Sequence, residues 1–464
     1  MANPAHCPPL TRASVLEAHE RIKPYIHHTP VLTNTYLDEL ASTPQSPEAL
    51  VGTEWEGQEP ARPKIRFYFK CENFQRVGAF KVRGAFHAVG RLMGEWDGEG
   101  EGMGEDEGDG VEGGKGKGVE GGKRVRAVVT HSSGNHAQAL ALAARTMGIP
   151  AHIVMPTIST PSKIAATRSY GATLYFSGST STEREAMVAE VVKETGARLV
   201  PPYDHPDIVL GQGTMGVELQ EQAREIMGGR KGMGSNGDGK KGETTGLDAI
   251  ITPCGGGGML SGTALSCEGT GIRVFGAEPT FEGADDGRRG FYSGTRVESV
   301  KSKTIADGLR TPLGKIPWSI IYERGLVKGM YGVSEGQIKK AMRLVVERMK
   351  VVVEPSAVVG LATALWDEGF RRMVQDEGGN GGWDVGIVFS GGNVGVEALG
   401  GLLAGDEGEG KGGLEREMGK VGLDGGGRLR MLLVELVTKV YILSNKSRYR
   451  KRLNKTSFRI RTVG

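Results

Sequence analysis

No stretch of this 464-residue chain holds the roughly 18 uninterrupted apolar residues that a membrane-spanning helix needs, so no membrane span is expected. Cysteine is scarce: Cys7, Cys71, Cys254 and Cys267 stand alone, never in CxxC spacing, which predicts neither a disulfide framework nor a zinc site and suits a reducing, cytoplasmic setting. Charge of one sign is also missing. With 58 basic and 55 acidic residues the formal net charge is +3, which argues against a dedicated nucleic-acid binder. The opening residues, Met-Ala-Asn-Pro-Ala-His-Cys-Pro-Pro-Leu, lack the basic-then-apolar plan of a secretory signal. What remains is a chain with 38% hydrophobic residues, long enough for two or three domains with a sizeable core.

Glycine is the excess. The chain has 75 in 464 residues, about 16% against a usual share of roughly 7%. Much of it sits in runs that mix glycine with charge. The runs are Glu95 to Lys123, Gly228 to Gly246, Asp376 to Gly382 in miniature, and Gly405 to Gly427. Such composition cannot bury apolar surface, and these runs read as disordered insertions in an otherwise orderly fold. The chain ends in a basic segment, Lys446 to Arg461, preceded by a short apolar run, Met431 to Leu443, of amphipathic character.

The orderly parts alternate between strand-like and helix-like runs. Ile65–Lys70, Arg126–Thr130, Ala151–Pro156, Ala172–Phe176, Leu247–Thr252, Arg273–Ala277 and Val385–Phe389 read as buried strands, with helices around Ala137–Met147, Ser162–Ser169 and Glu183–Glu194 between them. Alternation of this kind predicts an α/β fold with mostly parallel, twisted sheets flanked by helices. Three strands stop at small polar residues or glycines: VVTHSSGNH, IITPCGGGGMLSG and IVFSGGNVG. Since ligands of open α/β sheets bind beyond the carboxyl ends of strands, Ser132–His136, Gly255–Gly258 and Ser390–Asn393 are expected to face one site.

Four consecutive glycines let backbone N–H groups converge without Cβ interference, and the helix that follows adds its positive end, a setting for phosphate. The loop lacks the Lys-Ser/Thr of a Walker A motif and the last glycine of GxGxxG; tight strand-to-helix packing is the plain alternative. Lys81 sits in a small and apolar stretch, where a lysine can lose its charge and act as nucleophile or base, although most lysines simply face water. A lysine, a phosphate cup and a strand-end serine together suggest pyridoxal phosphate.

ENFQRVGAFKVRGA, THSSGNHAQALALAA, PCGGGGMLSG, GAEP followed by ADD, TIADGL, ERMKVVVEPSA and VFSGGNVG occur in the order found in fold-type II pyridoxal-phosphate enzymes. Over roughly Thr11 to Gly400 the chain resembles the serine racemase and serine/threonine dehydratase branch of that family. The resemblance implies a large cofactor-binding domain from residues 1–126 and 206–404, a small substrate-closing domain from 127–205, and an accessory tail from 405–464. It implies that Lys81 carries the cofactor and takes the Cα proton, and that Ser133 acts from the opposite face. Phe80 and Gly308 would flank the ring, Asn135 would meet its phenolic oxygen, and Ser390 its nitrogen. Gly255, Gly256, Gly257 and Gly258 with Met259 would hold the phosphate. Ser132, Asn135, His136 and Arg184 would bind substrate. Glu278, Asp286 and the carbonyl of Ala284 match a divalent-cation site suited to Mg²⁺ or Ca²⁺, though the intervening loop is two residues longer than the family's.

The implied activity is racemisation or ammonia loss from serine, threonine or 3-hydroxyaspartate, in a homodimer. Two other classes compete. A nucleotide-dependent oxidoreductase would use the glycine loops but leave Lys81 without a role, and a non-catalytic interaction protein would not need Lys81, Ser133 and Ser390 intact. Ser132 and Ser133 have a purely structural alternative as helix caps. His131 and His136 lack a third ligand at metal-site spacing, and HSSGNH lacks the GxSxG of a serine-hydrolase elbow.

Overall fold

Ile65–Cys71 joins β-branched and aromatic residues in a run buried at every position but Arg66, as a strand covered on both faces requires. The computed structural model describes residues 4–94, 119–120, 123–132, 134–159, 161–178, 180–232 and 246–404. In chain order its strands are β1 (Val31–Leu32), β2 (Ile65–Cys71), β3 (Val119–Glu120), β4 (Lys123–Arg124), β5 (Val128–His131) and β6 (Ala151–Pro156). There follow β7 (Thr173–Ser177), β8 (Arg198–Leu199), β9 (Ala249–Pro253), β10 (Arg273–Pro279), β11 (Val327–Val333) and β12 (Trp383–Phe389).

Two sheets carry the fold. The larger has the order β1-β2-β12-β9-β10-β11, parallel throughout except for β1, which runs antiparallel to β2 at the edge. Its longest unbroken register pairs Trp383 with Ile65 and ends with Phe389 opposite Cys71. Side-chain alternation splits its core in two. Phe67, Phe69, Ile251, Phe275 and Phe389 pack on one face, Tyr68, Ile250, Val274, Met330 and Val388 on the other. The smaller sheet, β7-β6-β5-β8, is wholly parallel, and there too Val128 and Ile153 face one cluster while Val129 and Val154 face the other. The α/β class with mostly parallel, helix-flanked sheets is therefore as the alternating runs predict. Among the described residues no helix is long and apolar enough to cross a membrane.

The glycine-rich runs need correction at their edges. Helix Pro206–Gly232 continues through Gly228, because Leu219, Ala223 and Met227 keep one of its faces in the core. Asp376 to Gly378 closes the helix Glu368–Gly378, held by buried Phe370 and Val374, and Gly379 and Gly382 adopt positive φ to turn the chain into β12. Val119–Glu120 pairs antiparallel with Lys123–Arg124, so the end of the first run forms a short ladder. The rest of that run, residues 233–245, and the tail from 405 onward, including the amphipathic run Met431 to Leu443, lie outside the described residues.

Candidate active site

Helix Lys81–Met93 begins with Lys81 itself, and eleven of its thirteen residues are buried, so the amine at its first position is held by a fixed element. Lys81 Nζ donates to the carbonyl of Pro202 at 2.8 Å and lies 5.1 Å from the ring centre of Phe80. Burial, against a weaker opposing pull from the Glu354 carboxylate, lowers its pKa to about 8. A lysine so placed spends a useful fraction of its time as a free amine near neutral pH.

The next residue along from Pro202 reaches the glycine loop. A Cβ on Gly256 would stand 2.3 Å from the Tyr203 ring, and one on Gly258 would meet the Tyr203 main chain at 3.3 Å. Gly257 has φ of 83° and faces Leu313, so neither position tolerates a side chain. Helix Gly258–Cys267 starts inside the loop, and among the described residues no protein carbonyl accepts from the amides of Gly255 to Leu260. A run of free amides at a helix start is a phosphate cradle, and the Pro202-Tyr203 pair touches both it and the amine. Met259, in the first turn, is buried against the hydrophobic cluster behind it.

From the cradle the contacts continue in a closed ring. Gly255 abuts the carbonyl of Gly308, at 3.1 Å from where its Cβ would be. Gly308 N donates to Ser356 Oγ at 3.1 Å, and Ser356 neighbours the buried Glu354 in sequence. Asn135 Nδ2 donates to both Glu354 oxygens, at 3.1 and 3.2 Å, while its Oδ1 accepts from Asn393 Nδ2 at 2.9 Å. Glu354 N donates to the carbonyl of Gly391, and the carbonyl of buried Ser390 accepts from Phe80 N at 3.1 Å, which returns to Lys81. The three strand ends thus converge on one site, as their shared design predicts.

His136 is buried, with Nε2 3.1 Å from the carbonyl of Val200; burial first and the Lys81 charge second lower its pKa to about 3, so the ring is neutral. Among the described residues its Nδ1 has no partner, which leaves it available for a ligand. Ser132 Oγ accepts from Gly134 N at 3.3 Å, and the helix that follows, Asn135–Thr146, takes Gly134 as N-cap with no side-chain cap. Ser133 lies outside the described residues. Arg184, on helix Ser181–Thr195, is near enough to His131 that its charge joins burial in lowering the histidine's pKa.

Behind the cradle, Glu278 and Asp286 are both buried. Among the described residues Glu278 Oε1 and Asp286 Oδ1 have no hydrogen-bond partner, and burial raises both carboxyls, Asp286 to about 6. Ala284 is fully buried beside them. Two orphaned carboxylate oxygens facing low dielectric fit a hard divalent cation. The longer loop is taken up by a short 3₁₀ turn, Phe281–Gly283, with Glu282 at φ of 50°. Sequence reasoning assigned nothing to Glu354 or Tyr203. The signal for Glu354 is a lone acid directly after the apolar run Val351–Val353, and Tyr203 gave none.

A recessed amine together with a phosphate cradle is what pyridoxal phosphate asks of a protein. The family model of pyridoxal-phosphate dependent enzymes matches residues 56–391. Over 400 residues the chain is 38% identical to an L-threo-3-hydroxyaspartate ammonia-lyase of Saccharomyces cerevisiae, covering 86% of this chain and 97% of that one. It is 37% identical to a serine racemase of Arabidopsis thaliana, covering 83% and 94%. The crystal structure of serine racemase from Dictyostelium discoideum superposes with a TM-score of 0.62 at 35% identity, over 83% of this chain and 99% of the other. The pairing of a recessed lysine with four consecutive glycines is therefore no coincidence of packing, and the chain belongs to the pyridoxal-phosphate dependent enzymes.

Proposed function

We propose that this enzyme racemises, or removes water and ammonia from, a β-hydroxy amino acid: serine, threonine or 3-hydroxyaspartate. The observation that carries the reading is the Lys81 amine, lowered to about 8 and linked through Pro202 and Tyr203 to the free amides of the glycine loop. Relatives named serine racemase and 3-hydroxyaspartate ammonia-lyase support the substrate class. Bound pyridoxal phosphate supplies an electron sink that makes the Cα–H of an attached amino acid acidic.

The chain's own residues do the rest. The amides of Gly255–Gly258 and Met259 would hold the phosphate, Phe80 and Gly308 would flank the ring, and Ser390 would meet its nitrogen. A hydroxyl there, unlike a carboxylate, does not hold a proton on that nitrogen. Asn135, fixed by Glu354 and Asn393, meets the phenolic oxygen. Ser132, Asn135 and His136 take the substrate carboxylate, with Arg184 adding positive charge. Lys81 Nζ accepts the Cα proton from one face. Delivery of a proton by Ser133 to the other face gives the enantiomer; departure of the β-hydroxyl as water leads after hydrolysis to a keto acid and ammonia. Glu278, Asp286 and the Ala284 carbonyl would hold Mg²⁺ or Ca²⁺.

We read residues 1–126 and 206–404 as a cofactor-binding domain over which 127–205 closes, and the enzyme as a cytoplasmic homodimer, in keeping with four cysteines that form no disulfide. The test is direct. Lys81→Ala should abolish the visible absorption of the cofactor-loaded enzyme and lower turnover of hydroxy amino acids by at least about 10³. Keto acid and enantiomer should be measured for each substrate. A variant that keeps both absorption and turnover overturns the reading.

A further inference from the structure

Three side chains of metal-binding type meet at a place the cofactor site does not use. Cys7 follows the short turn Pro4–His6 at the amino-terminal end, while His205 and Asp207 flank Pro206, the first residue of helix Pro206–Gly232. Cys7 Sγ lies 3.6 Å from Asp207 Oδ2, and His205 Nδ1 lies 3.8 Å from the same oxygen. One ligand atom from each residue falls within 4.8 Å of the others. Asp207 and His205 are buried, and Cys7 is half-buried. Tetrahedral zinc, with Zn–S of about 2.3 Å and Zn–N or Zn–O of about 2.0 Å, sets sulfur and oxygen roughly 3.5 Å apart and nitrogen and oxygen roughly 3.3 Å apart. The two separations from Asp207 Oδ2 lie within about 0.5 Å of that geometry, and the rest of the cluster contracts around the ion.

The surroundings complete the picture. Asp207 Oδ1, the oxygen turned away from the thiol, lies 3.4 Å from Arg91 Nε without a well-aligned hydrogen bond. A cation on the far oxygen of a ligating carboxylate is an outer-shell partner of the kind metal sites employ. Asp207 N donates to His205 Nδ1 at 3.2 Å, so that nitrogen is unprotonated, and a metal ion would take its lone pair in exchange for this one hydrogen bond. His87 Nδ1 fixes the Asp207 carbonyl from the other side at 2.7 Å.

We propose that Cys7, His205 and Asp207 bind one zinc-type divalent cation, with water from the half-open side as fourth ligand. Binding breaks the S–H bond of Cys7, forms the metal–thiolate bond and releases the proton to solvent, with no change of oxidation state. Mixed sulfur, nitrogen and oxygen donors select a borderline metal over Mg²⁺ or Ca²⁺. The ion ties the amino-terminal segment to the strap that crosses the cofactor site. Along that strap Val200 holds His136, Pro202 holds Lys81, Tyr203 covers Gly256, and Asp204 caps the amides of Lys315 and Ile316 at 3.1 and 2.9 Å. No CxxC spacing announces the site, because about 200 residues separate the thiol from its partners. The inference stands apart from the pyridoxal chemistry.

The test uses the full-length holoenzyme with saturating Mg²⁺, which occupies the hard-ligand site. Added Co²⁺ should bind one equivalent and give the thiolate charge-transfer band and the strong visible bands of tetrahedral cobalt, read as a difference spectrum against the untreated holoenzyme; Cys7→Ser should lose both and keep its basal turnover. Cys71, Cys254 and Cys267 are buried, so alkylation of the native protein reports on Cys7 alone. Zn²⁺ at a hundredfold excess over its dissociation constant should slow that alkylation roughly a hundredfold. This second arm needs no variant. Equal cobalt spectra for the two proteins, or labelling unchanged by Zn²⁺, overturns the proposal.

Discussion

Lys70 and Lys81 stand eleven residues apart, and both put an amine where bulk water hardly reaches, but they are treated in opposite ways. Lys70 Nζ donates to the Thr29 carbonyl, Glu218 Oε2 and Gln222 Oε1, at 2.7, 2.7 and 2.8 Å, which uses every ammonium hydrogen. Beside it Arg83 forks onto both oxygens of Glu72 and both of Glu218, so two cations and two carboxylates balance within one fully buried cluster. Lys81 has one neutral carbonyl and no carboxylate within ion-pair reach. Burial pushes both amines down, and around Lys70 the charges of Glu72 and Glu218 pull back. The difference teaches that a reactive lysine is defined by which partners are withheld. The two environments are also joined, since Arg83 lies two residues beyond Lys81 and pins the start of its helix to helix Pro206–Gly232.

The largest effect should come from breaking the paired side. Glu218→Ala strands Lys70 and half of the Arg83 fork in the interior, and loss of one partner from a buried ion cluster costs about 3–5 kcal/mol. Denaturant unfolding of the cofactor-free protein should show that loss; a change below about 1 kcal/mol, the range of surface pairs, would mean the cluster is hydrated and the contrast with Lys81 is false.

Next comes the carboxyl that faces the unpaired side. Burial and the neighbouring Asp307 raise Glu354 to about 7, against which the donors Asn135 and Asn393 work. A raised acid holds its proton in the folded state after the unfolded chain has released it. Its contribution is therefore complete below pH 4.5, the ordinary value, and is lost as pH rises to about 7. Glu354→Gln should remove that slope, on the order of 3 kcal/mol across the window, from the pH–stability profile of the cofactor-free protein. A profile identical to that of the unaltered protein would sink the assignment.

How much of this was legible beforehand follows from where the information resides. Lys81, the glycine loop and the strand-end Ser390 are contiguous motifs whose local chemistry is visible in a single window, and the alternating runs gave nearly every strand of both sheets. Edge strands β1, β8 and β11 escaped, the first two because two residues make no pattern and the third because glycines interrupt its apolar run. Glu354 and Tyr203 take their meaning from neighbours about fifty or more residues away, Gly308 and Asn135 for one, Gly256 for the other. The same holds for Lys70 and Glu218: a charged residue in a strand and another in a helix read as surface until the fold brings them within 2.7 Å.

The smallest effect should come from the unpaired lysine itself. Lys81→Met removes one hydrogen bond to the Pro202 carbonyl, a loss of about 1 kcal/mol, and also removes an amine whose charged form burial disfavours, a gain of similar size. The cofactor-free variant should therefore unfold within about 1 kcal/mol of the parent, although the same change at position 70 would leave Glu218 short of a partner and cost more. Thermal or denaturant midpoints of the two variants, measured side by side without cofactor, decide the matter. Should Lys81→Met prove the more damaging, the amine at position 81 is a structural anchor, and its low pKa would be a by-product of packing instead of a condition for chemistry.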